Sequence, residues 1–263
     1  MTELQDRPDV VLRTSRARSL LKLSRPQQWH KAVMLYAAPA AAGVIDQPHS
    51  LLRATIAAVA FILLSIAVYA LNDVRDAADD RRHPRKQYRP VASGALSPAA
   101  ATAWAVGAAT AGLAVVAALG VPTVALGIAY LVVQLLYVFG LKHIAVVDVI
   151  AVALGFVLRA AAGATATAVP VSNWFLLVSL FGALFLVAGK RRAERGAGTV
   201  DARTRPVLAA YTAAWLDQLT TVALLGTSLS YGLWAFQYLG EDVFRQLLTV
   251  SFLPFLTGLL RYG

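Results

Sequence analysis

Long apolar runs separated by short charged stretches set the pattern of this chain. A helix crossing about 30 Å of hydrocarbon needs roughly 20 apolar residues. Eight segments meet or approach that length: about 29–45, 51–71, 98–119, 122–139, 146–167, 173–189, 207–238 and 243–260. The first and sixth are short, and the seventh is long enough to tilt or to emerge from the bilayer. Membrane β-strands would alternate apolar and polar residues over about ten positions. The run AFILLSIAVYAL does not alternate. The expected fold is an all-α, polytopic bundle of eight transmembrane helices over residues 29–263, behind a basic arm, residues 1–28.

Composition supports the membrane class. Hydrophobic residues make up 58% of the chain and charged residues 14%, against about 25% charged in soluble domains. Residues 1–28 hold six Lys/Arg and no long apolar core, so no signal peptide is expected and the first run is read as a retained span. The absence of cysteine excludes disulfides and thiolate metal sites.

The formal net charge of +10 would suggest nucleic acid in a soluble protein. Here its location gives a different meaning. The arm and first span carry Arg7, Arg13, Arg16, Arg18, Lys22, Arg25 and Lys31. The stretch after the second span carries Arg75, Arg81, Arg82, Arg85, Lys86 and Arg89. The stretch after the sixth carries Lys190, Arg191, Arg192, Arg195, Arg203 and Arg205. Nineteen of the 24 basic residues thus fall on one side of an eight-span topology. The other side holds Arg53 and Arg245 at its edges and the acidic Glu241–Asp242. Lys/Arg-rich loops stay cytoplasmic. The N-terminus and both large loops are therefore expected on the cytoplasmic face of the plasma membrane, with no nucleic-acid partner. The equivalent placing of the two loops suggests two four-helix halves.

The strongest chemical signal is Asn72-Asp73-Val74-Arg75-Asp76-Ala77-Ala78-Asp79-Asp80, at the end of the second span. Asn72, Asp73, Asp76 and Asp80 stand three or four residues apart, so on a helix they share a face. Like charges so placed oppose one another's ionisation, and a divalent cation relieves that conflict. Oxygen donors without thiols favour Mg²⁺, which takes one or two carboxylates and completes its shell with water and phosphate oxygens. A diphosphate-bearing ligand follows. A solvated acidic loop would carry the same residues, but here cations follow at once, Lys86 and Arg89 among them. Anions for a metal beside cations for phosphate form a working unit.

The stretch NDVRDAADDRRHPRKQYRPVASGALS resembles the first aspartate-rich motif, NDxxDxxxD, of the UbiA superfamily of intramembrane prenyltransferases. Asn72, Asp73, Asp76 and Asp80 fill its four positions. Within that superfamily, SRPQQWHK, DRRHPRK, GLKHIAVVDV, GFVLRAAAG and AGKRRAE are similar to segments of the decaprenyl-phosphate phosphoribosyltransferase family. The resemblance implies Mg²⁺-dependent transfer of a phosphoribosyl group from 5-phosphoribosyl 1-diphosphate to a polyprenyl phosphate, for cell-wall arabinan precursors. It implies Asp73 and Asp76 as catalytic metal holders, aided by Asp80 and Asn72. Two departures stand out: Ala32 follows Lys31 where the family has Asn, and the family has nine spans against the eight counted here.

Relatives with a prenyl diphosphate donor carry a second aspartate-rich motif after the sixth span. Here Gly189-Lys190-Arg191-Arg192-Ala193-Glu194-Arg195 stands in its place. A basic second loop suits a donor with an additional phosphate, although a topological anchor would also be basic. Lys190 and Glu194 match the family's Lys-Arg-x-x-Glu spacing. Lys142 resembles the Lys that the superfamily places after a Tyr, here Tyr137, to hold diphosphate.

Arg159 lies inside the fifth span, where a charge costs about 2.5–3.5 kcal/mol on insertion scales. It either lines a cytoplasmic phosphate cavity or pairs with Asp148 or a carbonyl. Arg25, Gln28 and Lys31 open the first span at headgroup level, as contacts for the acceptor's phosphate or as snorkelling anchors. The rivals are a UbiA prenyltransferase with an aromatic or quinone acceptor, and a transporter or lipid-binding protein without chemistry. A homo-oligomer is compatible with all three.

Overall fold

A computed structural model describes residues 15–196, 206–237 and 243–262. Arg7, Arg13, Arg203, Arg205 and the Glu241–Asp242 pair lie outside the described residues. The described residues form helices and turns without a strand.

The chain opens with α1, Arg16–Leu23, and a 3₁₀ run, Pro26–Tyr36, that leads into α2, Ala37–Ala41. Then come α3, Pro48–Arg75, the short α4, Ala77–Asp80, a 3₁₀ turn at Lys86–Tyr88, and α5, Pro98–Ala117. Next are α6, Val121–Phe139, a second 3₁₀ turn at Leu141–His143, α7, Val147–Ala166, and α8, Asn173–Gly196. The short α9, Pro206–Ala209, precedes α10, Ala213–Phe236, and the chain continues through α11, Val243–Val250, and α12, Phe252–Tyr262. Starts follow ordinary rules. Pro98 opens α5, while the Ser97 hydroxyl accepts from the Ala100 N–H at 3.2 Å. Thr212 caps α10 in the same way, accepting from the Trp215 N–H.

Among the described residues, six helices are long and apolar enough to cross a membrane: α3, α5, α6, α7, α8 and α10. The expected eight are not found among them. The 29–45 segment is a 3₁₀ run that begins at Pro26, followed by five α-helical residues with Pro39 among them. The 243–260 segment breaks at Ser251, because Pro254 has no N–H to offer the carbonyl of Val250. The 207–238 segment splits where Thr212 starts a new helix. The sixth segment does not stop at 189; α8 continues through the basic cluster to Gly196. The division into two four-helix halves loses its basis with the count.

α3 packs along α5, α8 along α10, and α7 lies between α6 and α8. Small side chains permit the close approach: Ala54, Ala57, Ala60, Ala67 and Ala70 of α3 are all buried. Leu35, Phe61, Leu64, Val116 and Tyr130 form the centre of the core. At Gly163 of α7 an added Cβ would lie 2.1 Å from the Leu35 carbonyl oxygen, so only glycine admits the 3₁₀ run there. At the opposite end from the acidic turn, Arg53 donates to the carbonyls of Ala166 and, at 3.0 Å, Leu119, tying the ends of α7 and α5 to α3.

Candidate active site

The alternating course of the long helices brings the end of α3, the turn before α7 and the end of α8 to one end of the bundle. The acidic motif is mostly helical. α3 stops at Arg75, Asp76 is its C-cap, and α4 resumes at Ala77. That break divides the carboxylates that a continuous helix would align. Asp73 and Asp80 are almost fully buried and share one cation: Arg89 Nη1 lies 3.3 Å from Asp73 and 2.6 Å from Asp80. Asp73 also pairs with Arg25. Asp76 meets Lys142 instead, whose ammonium donates to Oδ1 at 2.5 Å. Burial pushes the Asp80 carboxyl above its ordinary range, against the pull of Arg89 and then Lys86. Lys86 thus stands close enough to Asp80 to act on it.

Arg25 occupies a left-handed backbone conformation, φ 48°, just before the 3₁₀ run. Its guanidinium lies 5.0 Å from the centre of the Tyr69 ring, within cation–π range. Gln28 is half-buried, and its backbone N–H bonds to the Arg25 carbonyl. Lys31 stands in the 3₁₀ run, outside the six long helices. Burial, reinforced by the charges of Arg159, Lys190 and Arg25, pushes its ammonium down to about 8.

Arg159 is 5% exposed. Its guanidinium donates to the Gly155 carbonyl at 3.0 Å, the Ser65 hydroxyl at 3.0 Å and the Tyr130 hydroxyl at 2.6 Å. The Tyr130 and Phe156 rings flank it. All these groups are neutral. Of the sequence alternatives, the carbonyl is present and Asp148 is not the partner. Asp148 belongs to another cluster: Arg191 donates to it at 3.0 Å, and so does the Tyr211 hydroxyl.

The basic cluster of α8 is helical, so its members face different ways. Lys190 lies 3.9 Å from Glu194 and is mostly exposed. Arg191 is 3% exposed and bonds Glu194 at 3.1 Å as well as Asp148. Arg192 pairs with Asp217 of α10. Tyr211 escaped the sequence reading, which had Asp148 only as an alternative partner of Arg159 and Arg191 only as a member of the basic cluster. For Arg191 a signal existed: Ser179, Ala183, Val187 and Arg191 are buried at four-residue spacing, one continuous face of α8.

Among the described residues, no three carboxylate or imidazole side chains gather around one point. Asp73, Asp76 and Asp80 are instead each tied to a cation. The donor set still fits a hard divalent ion. Mg²⁺ takes one or two carboxylates and leaves the other positions to water and phosphate, so a ready-made three-carboxylate cage is not required.

Buried carboxylates at the mouth of an α-helical membrane bundle, interleaved with Arg and Lys, define a class: intramembrane transferases that handle phosphorylated substrates. The chain belongs to the UbiA prenyltransferase family, whose profile matches residues 32–262. It is 42% identical over 249 residues to a decaprenyl-phosphate phosphoribosyltransferase of Mycobacterium tuberculosis, covering 93% of this chain and 82% of that one. The protein of that name from Corynebacterium glutamicum is 38% identical over 253 residues, covering 94% and 76%. The fold is similar to that of a UbiA homolog from Archaeoglobus fulgidus bound to GPP and Mg²⁺. The TM-score is 0.77 at 18% identity, over 93% of this chain and 85% of that one. The chain is thus an integral membrane protein of a family with divalent-metal-bound members.

Proposed function

We propose that this protein transfers the 5-phosphoribosyl group of 5-phosphoribosyl 1-diphosphate to a polyprenyl phosphate, with the site on the cytoplasmic face. The observation that carries the reading is the interleaving of charge. Asp73, Asp76 and Asp80 of the acidic motif each pair with Arg25, Arg89 or Lys142. Those partners are the cations that a diphosphate would need. Donor binding exchanges one set of pairs for another: carboxylates turn to a metal, and guanidinium and ammonium groups turn to phosphate oxygens.

Asp73, Asp76 and Asp80, with Asn72, are the residues that would hold Mg²⁺. When bound, Mg²⁺ supplies neutralising charge for the leaving diphosphate. Lys86, Arg89 and Lys142 bind diphosphate oxygens. Lys190, with Glu194 orienting it, serves the 5-phosphate. Arg25, Gln28, Lys31 and Arg159 hold the acceptor's phosphate. The bond from the anomeric carbon to the diphosphate oxygen breaks, and a bond from that carbon to a lipid phosphate oxygen forms. The acceptor is already an anion, so no side chain has to remove a proton. Fixed cations around the departing oxygen provide electrostatic stabilisation without reorganisation.

The test uses purified protein in nanodiscs, ribose-labelled 5-phosphoribosyl 1-diphosphate, decaprenyl phosphate and Mg²⁺. Label moving into the organic extract supports the reading. Product formed only from a prenyl diphosphate and an aromatic acceptor would replace it with ordinary prenyl transfer.

A further inference from the structure

We infer that Tyr211 is a positioning residue for Lys142, acting through the backbone of Val146. Lys142 sits in the turn between α6 and α7, and that turn ends in an unusual conformation. Val146 has φ 69° and ψ −47°. A β-branched residue rarely adopts positive φ, and such geometry persists only where surroundings impose it. The imposing group is Tyr211: its hydroxyl oxygen accepts the Val146 N–H at 2.7 Å.

Tyr211 is itself fixed. Its hydroxyl donates to Asp148, two residues beyond Val146. Asp148 has no exposed surface and also accepts from Arg191. Arg195 donates to the Tyr211 carbonyl, and the Trp215 ring stacks on the phenol with centroids 4.6 Å apart. The phenol is thus anchored to α8 and α10, and it holds the end of the turn that presents Lys142 to Asp76. The Val146 side chain is 44% exposed, so packing of the valine does not explain the conformation.

This inference rests on the proposed reading of Lys142 as a diphosphate contact. Its test therefore reads binding as well as turnover. Inorganic diphosphate is titrated, with Mg²⁺, into wild-type protein and four variants: Tyr211→Phe, Lys142→Ala, their double, and Tyr211→Phe with Val146→Gly. Phe keeps the ring stacking and loses both hydroxyl bonds. Tyr211→Phe is expected to weaken diphosphate binding about tenfold, the scale of a lost hydrogen bond. The double variant is expected to bind no more weakly than Lys142→Ala alone, because both changes act on one contact. Val146→Gly is expected to restore most of the loss, since glycine adopts positive φ without a bond to enforce it. A purely structural hydroxyl would not be rescued at Val146. Unchanged affinity in Tyr211→Phe, additive losses in the double, or no rescue by glycine overturns the inference. A wild-type protein that binds diphosphate but transfers no phosphoribosyl group overturns the proposed activity and leaves the positioning role standing. Wild-type protein that binds no diphosphate overturns both.

Discussion

The ammonium of Lys142 lies 2.5 Å from the carboxylate of Asp76, across 66 residues of sequence. The turn before α7 and the turn after α3 thereby form one electrostatic unit. A cation held this way is aimed before any substrate arrives. Lys142→Ala is expected to raise KM for the diphosphate donor about tenfold or more, the scale of a lost charge-assisted bond. KM for the lipid acceptor should stay within about twofold. Steady-state kinetics with each substrate varied in turn checks this; an equal rise in both would remove the assignment.

Arg159 offers a test of stored charge. Its partners are carbonyl, hydroxyl and aromatic groups, so replacing it leaves no buried carboxylate behind. Removing a buried charge with only neutral partners costs little and can stabilise. Arg159→Met is expected to keep the melting temperature within a few degrees of wild type. The same change should lower transfer about a hundredfold if Arg159 faces a substrate phosphate. Thermal melts and rates on the same preparation separate the two effects. A large loss of Tm with normal rate per folded molecule would make Arg159 structural.

Arg53 should behave in the opposite way. It stands far from the acidic turn and caps carbonyls at the ends of two helices. Arg53→Ala is expected to destabilise by about 1–3 kcal/mol, the usual cost of orphaned buried acceptors. Both KM values should be unchanged in protein that is folded. Melting and kinetics in the same detergent check it.

Lys31 gives the pH dependence. Burial and three neighbouring cations hold its ammonium at about 8, below the ordinary lysine value. A depressed value means that charge is present below pH 8 and lost above it. An anion that binds Lys31 needs the charged form, so acceptor KM is expected to rise as pH climbs from 7.5 to 9, approaching tenfold per unit beyond 8. Lys31→Arg should flatten that profile, because a guanidinium stays charged. A rise that persists in Lys31→Arg assigns the titration to another group.

The site was legible in the sequence where chemistry sits in one short segment. Asn72 to Asp80 fall within nine consecutive residues, and their spacing is enough to gather them near the end of α3. The pairs that hold them were not legible. Arg25 reaches Asp73 across 48 residues, and Lys142 reaches Asp76 across 66; such contacts are set by helix packing, which no local pattern encodes. Eight spans are not found among the described residues, for local reasons. Hydropathy sees apolar length but not the prolines at 39 and 254 that interrupt it, nor Gly163, which draws the 3₁₀ run against α7. The basic cluster was read as a loop because charge was equated with irregular backbone. Its outward members are solvated, while Arg191 continues the buried face of α8.

The central claim is that the acidic turn and its cations bind a metal-bound diphosphate together. The most direct measurement is calorimetric titration of 5-phosphoribosyl 1-diphosphate into nanodisc-embedded protein, with and without Mg²⁺, for wild type and for Asp73→Ala combined with Asp76→Ala. Saturable binding is expected in wild type only with Mg²⁺. A loss of about a hundredfold or more is expected in the double variant. Equal affinity without the metal, or in the variant, would contradict the claim.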